Sequence, residues 1–224
     1  FCPTMNSLLQ LLRANRPFYL TYAGLLLAAG GLQLAFTQTE LMQWVNARNT
    51  PAADRFFTYA TYLGDGAFFA VVILALLLRS YRWAIKCMAT FLLTTLVAQG
   101  LKRLVFADRL RPAKFFEEQS LNFRYVEGVE LAHYHSFPSG HSTSAFALFC
   151  LLALLVKDKR WGYAFAVLAA LAAYSRVYLF QHFVEDVYAG SMLGVVCSTL
   201  IFSLLNSYWT RRPKDWLDRS LFRR

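Results

Sequence analysis

The chain has 224 residues, of which 57% are hydrophobic and 17% aromatic, and its formal net charge is +10. Average soluble domains are less apolar, and the apolar residues here form blocks of about 20 residues, the length that crosses a bilayer. The basic residues cluster in short loops between these blocks, which is typical of a membrane protein and argues against a nucleic-acid partner. We therefore expect one integral membrane domain over residues 5–224, with residues 1–4 as an upstream remnant.

Six apolar blocks are predicted to be transmembrane helices, which makes the fold class an all-α membrane bundle. The fourth block is short and reaches membrane length if its helix begins near Ser139. Most of the basic residues lie on the side of the N-terminus, the 79–86 loop, the 157–160 loop and the C-terminal tail. That side should be cytoplasmic, in a bacterial inner membrane. The blocks are Pro17–Phe36, Phe56–Leu78, Trp83–Leu101, Ser142–Val156, Trp161–Leu179 and Val187–Tyr208.

Two connections on the opposite side, facing the periplasm or cell exterior, have features of their own. Thr37–Arg55 has apolar residues at helical spacing, which fits either a helix in the membrane interface or one packed on the bundle. Val105–Phe137, between helices 3 and 4, is long, charged and aromatic. Loops of this length are usually functional or disordered, so we expect a partly ordered outer cap that touches lipid headgroups.

The junction of the fifth and sixth blocks contains a candidate catalytic pair. Ser175-Arg176 ends one block, and His182 and Asp186 begin the next. Residues four apart on a helix share a face, so Asp186 can bond one ring nitrogen of His182, fix its tautomer and raise the basicity of the other nitrogen. Such a histidine is a competent nucleophile toward phosphorus, although the same spacing alone also fits an ordinary pair at a helix start.

The sequence Pro138-Ser139-Gly140-His141 precedes the fourth block. Ser139 is a typical N-cap, and Gly140 beside it lets the free backbone N–H groups of a helix start approach an anion. His141 is the candidate general acid that protonates a leaving oxygen. A plain capped helix with an incidental histidine is the alternative for this segment.

Cations precede this segment at the end of the third block, where Lys102-Arg103 is followed by Arg109-Leu110-Arg111-Pro112. Lys102, Arg111 and Arg176 can hold three nonbridging phosphate oxygens, together with Ser139 and the Gly140 N–H. No aspartate-rich Mg²⁺ site is visible, so we expect neither a metal nor another cofactor. Two histidines, a carboxylate, fixed cations and a helix-start anion site together indicate metal-free phosphoryl transfer at a membrane surface.

From about Leu63 to Leu205 the chain resembles the type 2 phosphatidic acid phosphatase family, membrane lipid phosphatases that share catalytic motifs with vanadium haloperoxidases. Pro138-Ser139-Gly140-His141 and Ser175-Arg176-x5-His182-x3-Asp186 match the family's second and third motifs fully. The resemblance implies that His182 is the phosphohistidine nucleophile, that Asp186 is its partner and that His141 is the acid. It also implies a phosphate-binding role for Arg111, Ser139, Gly140 and Arg176.

The first motif departs from the family pattern of Lys, six residues, then Arg-Pro. Leu104 stands where the Lys should be, and Lys102 lies two residues earlier. On a regular helix, a residue nine positions before Arg111 lies half a turn away from the face that a residue seven positions before it occupies. Either the chain bulges or leaves the helix near Phe106–Asp108, which lets Lys102 serve, or Arg103 or Arg109 replaces it. We expect Lys102.

The expected activity is hydrolysis of a lipid phosphate at the outer interface. A polyprenyl diphosphate, phosphatidylglycerol phosphate, phosphatidic acid and lipid A phosphate all fit as substrate. The alternatives are a lipid phosphotransferase and a non-enzymatic lipid transporter, while a haloperoxidase is disfavoured because those enzymes are soluble. Membrane lipids are the other expected partners, and the sequence does not specify an oligomeric state.

Two further groups of residues receive no functional role at this point. His133 and His135 alternate but lack an evident third zinc ligand, so they are expected to line the cap. Gly64-Asp65-Gly66 is expected to form a tight turn at a helix start, with Asp65 solvated or structuring the loop.

Overall fold

The computed structural model describes residues 5–119 and 121–222. Every regular element in these two ranges is helical, which confirms the all-α prediction. Residues 1–4, expected to be an upstream remnant, lie outside the described ranges. The helices are α1 (Met5–Ala14), α2 (Arg16–Ala35), α3 (Gln38–Asn46), α4 (Pro51–Ala60), α5 (Gly66–Leu77), α6 (Tyr81–Gly100), α7 (Pro112–Glu118), α8 (Gly140–Leu155), α9 (Trp161–Tyr178) and α10 (Val184–Arg211), with 3₁₀ turns at Thr61–Gly64 and Asp215–Asp218 and a π turn at Leu101–Val105.

Each predicted apolar block coincides with helical structure, but the helices differ in whether they are long and apolar enough to cross a bilayer. In the described part of the chain, α2, α10 and α6 with its π turn meet that standard. The α4–α5 pair, bent by 54°, would be a fourth span if it is one unit, and α8 is a shorter apolar helix. Three to four candidate spans are thus established, and six remains a prediction.

Helix α8 lies at the centre of the bundle. It packs against α6, α9 and α10, and most of its side chains are buried. Helix α10 approaches it closely at Gly190, where an added Cβ would lie 2.6 Å from the Ser139 carbonyl oxygen. Glycine at position 190 therefore lets the start of α8 lie against the first turns of α10. The backbone N–H of Ser139 donates to the Asp186 carbonyl oxygen at 3.0 Å, which fixes the two helix starts relative to each other.

Helix α3 occupies the first of the two outer connections. It begins with a capping box in which the Thr37 side chain and Glu40 bond each other's backbone N–H groups. Leu41, Met42 and Val45 are buried against the bundle. Of the two predicted alternatives, the structure shows a helix packed on the bundle.

The long connection after α6 is tied to the bundle. The Asn46 side chain donates to the Arg124 carbonyl oxygen at 2.6 Å and accepts the Arg124 N–H at 3.0 Å. The Arg124 guanidinium forms an ion pair with Asp54 on α4. Phe116, at the end of α7, is fully buried against Phe180. These contacts order the connection above the bundle, and its position outside the membrane remains a prediction.

Candidate active site

The carboxylate of Asp186 is the centre of a buried hydrogen-bond network at the start of α10. Its Oδ2 atom lies 3.2 Å from His182 Nδ1, 2.5 Å from the Ser136 hydroxyl and 2.9 Å from the Phe183 N–H. His182 and Asp186 are each 1% exposed. The predicted i,i+4 pair is therefore formed, and it is held more firmly than its spacing alone would require.

His182 is surrounded by features that favour its neutral form. Burial lowers the pKa of His182 well below its usual range, and the Arg111 and Lys102 cations lower it further. A neutral imidazole that donates its Nδ1–H to Asp186 has its lone pair on Nε2. That nitrogen is then free to attack an electrophile near the cations.

The start of α8 is built as the sequence predicted, with Ser139 as its N-cap. The Ser139 hydroxyl accepts the N–H of Ser142 at 3.4 Å, and the helix begins at Gly140. Ser139 is fully buried, whereas the His141 side chain is 31% exposed. His141 interacts electrostatically with Arg176, which places it at the cation cluster. An imidazole there can exchange a proton with a group bound among the cations.

Three of the predicted cations gather at this place. Lys102 interacts electrostatically with Arg111, Arg176 and Asp186. The Arg111 guanidinium donates to the carbonyl oxygen of Tyr134 at 3.0 Å and to Gln181. Arg176 donates to the Thr61 hydroxyl at 2.8 Å. Like charges this close repel one another, so the cluster is suited to bind an anion.

The irregular first motif is explained by the end of α6. The helix widens into a π turn at Leu101–Val105, closed by the bond from Phe106 N–H to the Leu101 carbonyl oxygen, and the chain leaves the helix at Phe106. This is the predicted break, and it begins earlier than expected. Lys102 is consequently 8% exposed and joins the cation cluster.

The two rival cations of the first motif have other surroundings. Arg103 is exposed and borders an apolar surface groove with Leu96. Arg109 is also exposed, and its guanidinium lies 3.7 Å from the Glu185 carboxylate. Of the three candidates, Lys102 is the one that lies in the cation cluster, and its phosphate-binding role stays a prediction.

Several polar residues at the site had no predicted role. The Ser136 hydroxyl bonds Asp186 across 50 positions of sequence, and it is 1% exposed. Thr61 orients Arg176, and Gln181 accepts from Arg111 while donating to the Glu130 carbonyl oxygen at 2.9 Å. The sequence indicated a role for Ser136 and Gln181 only through their nearness to the recognised motifs, and it gave no such indication for Thr61.

The predicted histidine pair of the cap lies on the exposed surface. His133 and His135 are exposed, and the His133 carbonyl oxygen accepts the Arg111 N–H at 2.8 Å. Within residues 5–119 and 121–222 there is no group of three or more His, Cys, Asp or Glu side chains placed to hold a metal ion. The His133 backbone thus helps to position a phosphate-binding candidate.

The sequence pattern of the PAP2 superfamily matches residues 83–209, a range that contains all three motifs and more than half of the chain. The chain belongs to the PAP2 superfamily. This confirms the family that the motifs indicated. The fold agrees as well, since the crystal structure of Aquifex aeolicus LpxE superposes with a TM-score of 0.63 at 28% identity, covering 74% of this chain and 93% of that one.

Curated relatives of this PAP2 protein include two kinds of lipid A phosphatase. The lipid A 1-phosphatase of Rhizobium johnstonii is 32% identical over 138 residues, which are 60% of this chain and 54% of that protein. The chain therefore spans about half the length of that relative. The lipid A 4'-phosphatase of Bacteroides thetaiotaomicron is 27% identical over 188 residues, which are 81% of this chain and 83% of that protein.

Proposed function

We propose that this PAP2 protein is a membrane lipid-phosphate phosphatase that works through a phosphohistidine on His182. The observation on which this rests is the buried His182–Asp186 pair, 3.2 Å apart, beside a cluster of cations. Neutral His182 attacks phosphorus through Nε2 while Asp186 stabilises the positive charge that develops on the ring. The names of the relatives support a lipid-phosphate phosphatase, and the family membership is in keeping with the histidine nucleophile.

The cations hold the transferring phosphoryl group. Before substrate arrives, burial restricts Lys102, and hydrogen bonds hold Arg111 and Arg176 in place. Preorganised charges of this kind stabilise the negative charge spread over the phosphoryl oxygens in the transition state without reorganisation. The N-cap Ser139 and the N–H of Gly140 complete the cradle at the start of α8.

Proton transfer is assigned to His141. In the first step the P–O bond to the lipid breaks as the P–N bond to His182 forms, and protonated His141 gives its proton to the leaving oxygen. In the second step a water molecule attacks phosphorus, His141 takes a proton from it, and the P–N bond breaks. The products are inorganic phosphate and the dephosphorylated lipid.

The proposed membrane arrangement has six spans, with α8, α9 and the bent α4–α5 pair added to the three long apolar helices. Both termini are then cytoplasmic, and the site faces the periplasm or cell exterior from the inner membrane. The distribution of basic residues supports this orientation. A substrate whose phosphate reaches the outer interface while its chains stay in the bilayer fits such a site.

Among the four candidate substrates, the relatives favour a lipid A phosphate. Four matching relatives are named lipid A 1-phosphatase or lipid A 4'-phosphatase, and one is named phosphatidylglycerophosphatase B. Phosphatidylglycerol phosphate is therefore the second choice.

The test is phosphate release in detergent micelles from lipid A, phosphatidylglycerol phosphate, phosphatidic acid and a polyprenyl diphosphate. The wild-type protein should release phosphate from at least one, with lipid A fastest. His182→Ala should lose several orders of magnitude in rate, because the covalent nucleophile is gone. His133→Ala is the matched control, since its exposed side chain lies near the site and should be dispensable.

Trapping supplies the second measurement. A substrate with ³²P in its phosphate should label the wild-type protein through an acid-labile, alkali-stable bond, and His182→Ala should stay unlabelled. Residual activity in that variant above about a tenth of wild type would assign the nucleophile elsewhere. Failure of the wild-type protein to release phosphate from any of these lipids would overturn the proposal.

A further inference from the structure

The break between α4 and α5 forms one wall of the site. The 3₁₀ turn Thr61–Gly64 links the two helices, and Asp65 caps α5 by accepting the Ala67 N–H at 2.7 Å. Gly64 lies directly on the backbone of His141, because a Cβ added there would come within 2.7 Å of the His141 carbonyl oxygen. The turn expected from the sequence is therefore present, and it is pressed against the start of α8.

Two side chains of this turn contact residues of the catalytic motifs. The Thr61 hydroxyl accepts a hydrogen bond from Arg176 at 2.8 Å. One carboxylate oxygen of Asp65 is used by the cap, and the other lies 3.8 Å from Nε2 of His141. That distance is too long for a hydrogen bond and short enough for an ion pair. Asp65 thus holds the helix start with one oxygen and faces His141 with the other.

The charges around His141 give this contact its significance. Burial most strongly disfavours a positive charge on the His141 ring, and Arg176, Arg111 and Lys102 disfavour it further, while neutral His182 lies nearby. A general acid must nevertheless bear its proton when the leaving oxygen departs. In the part of the chain that the structure describes, Asp65 is the carboxylate within 4 Å of the His141 ring.

We propose that Asp65 is a positioning residue for the reaction, whose carboxylate holds His141 in its protonated form and in place to protonate the leaving oxygen. This inference rests on the proposed phosphatase function. The His141 proton moves to the lipid oxygen as the P–O bond breaks and returns from the attacking water, and Asp65 itself exchanges no proton. Its contribution should scale with how much the leaving group needs a proton.

The experiment compares two substrates that differ in the leaving oxygen. One is a long-chain alkyl phosphate, whose alkoxide must be protonated. The other is a nitrophenyl phosphate with the same alkyl chain, whose phenolate leaves without a proton. The variant is Asp65→Asn, because asparagine caps a helix as well as aspartate does and removes only the charge.

Asp65→Asn should lower kcat for the alkyl phosphate about 10-fold or more and change kcat for the nitrophenyl phosphate less than about threefold. The inhibition constant for orthovanadate should stay within about threefold, because the cation cradle is untouched. Thr61→Val is the matched control on the same turn. It loosens Arg176, so it should slow both substrates alike and weaken vanadate binding.

The outcomes separate this inference from the function on which it rests. Equal losses of Asp65→Asn on both substrates, or no loss on either, would overturn the role of Asp65 while leaving the phosphatase function intact. Asp65→Glu restores the charge and should recover part of the alkyl phosphate activity. If Asp65→Asn does not fold, the loss of kcat on the alkyl phosphate relative to the nitrophenyl phosphate is measured for Asp65→Glu instead. A wild-type protein that releases phosphate neither from these two substrates nor from the panel of natural lipids would overturn both proposals.

Discussion

Replacement of Lys102 by methionine should lower kcat/KM for a lipid phosphate about 100-fold, whereas Arg103→Met should lower it less than threefold. The two cations are adjacent in sequence, and the π turn gives them opposite environments. Lys102 is 8% exposed and interacts with Arg111, Arg176 and Asp186, while Arg103 is exposed at an apolar groove. Methionine is nearly as long as lysine and shorter than arginine, and both substitutions remove the charge while keeping an unbranched side chain.

The expected loss follows from the burial of Lys102. Removing one preorganised donor from an oxyanion site typically lowers the rate by a factor of 10² to 10³, and 100-fold corresponds to about 2.7 kcal/mol of transition-state stabilisation. Lys102→Arg should recover part of the loss, because a planar guanidinium replaces a compact ammonium poorly in a tight site. An exposed cation such as Arg103 contributes mainly to anchoring at the interface.

Stability provides an independent readout for the same variants. Lys102 is desolvated and repelled by Arg111 and Arg176, so the substrate-free protein should not lose stability when that charge is removed. Thermal unfolding in detergent, followed by tryptophan fluorescence, should give Lys102→Met a midpoint equal to or above that of wild type. Added orthovanadate should raise the midpoint of wild type more than that of Lys102→Met.

Two results would refute this reasoning. A large loss for Arg103→Met with Lys102→Met near wild type would transfer the phosphate-binding role to Arg103. A drop in both activity and unfolding midpoint for Lys102→Met would mean that the ammonium group mainly supports the fold.

Four further predictions follow from the site. The pKa of His182 is lowered by burial and then by Arg111 and Lys102, so its protonation, which inactivates the nucleophile, should occur below pH 6.5. The acid limb of kcat/KM should therefore lie below pH 6.5 for two substrates whose phosphates differ in pKa, and a limb at or above 6.5 for both would contradict this. Ser136→Ala should lower kcat about 10-fold at nearly constant KM, because Asp186 loses one of its three donors, and an unchanged kcat would make Ser136 dispensable. EDTA should leave the rate unchanged and orthovanadate should inhibit; loss of activity in EDTA that Mg²⁺ restores would reject the metal-free mechanism. In a chain without its native cysteines, a cysteine in the 113–130 loop should react with an impermeant maleimide on whole cells and one near Lys157 should not, and the reverse pattern would place the site in the cytoplasm.

The second and third motifs could be predicted because their chemistry is local. The N-cap at Ser139 and the pair His182–Asp186 each involve residues on one helix start, where spacing determines geometry. The sequence also indicated that α6 must bulge or end between Lys102 and Arg111 if Lys102, and not Arg103 or Arg109, serves in the first motif. It did not place the π turn, because a widened turn is selected by packing around it and not by the residues within it.

The other residues of the site could not be predicted from the spacing of residues in the sequence, because they reach the site through tertiary contacts. Ser136 reaches Asp186 across 50 positions, and Thr61 reaches Arg176 across 115. Asp65 was expected to be solvated or loop-structuring, because no charge near it in sequence suggested otherwise. Its contact with His141 arises from the 54° bend between α4 and α5, which the continuous apolar block Phe56–Leu78 concealed.

The arrangement of charges also indicates how the site can gain affinity for a phosphate group. Lys102, Arg111 and Arg176 repel one another, and the two carboxylates that offset them, Asp186 and Asp65, are each engaged by other groups. The unfavourable energy that remains is relieved when a phosphate dianion enters, so part of the repulsion in the free protein becomes binding energy. The transition state is trigonal bipyramidal with its charge spread over three equatorial oxygens, and this geometry should gain most from the same cluster. Substitutions that remove a cation should therefore weaken vanadate binding more than substrate binding.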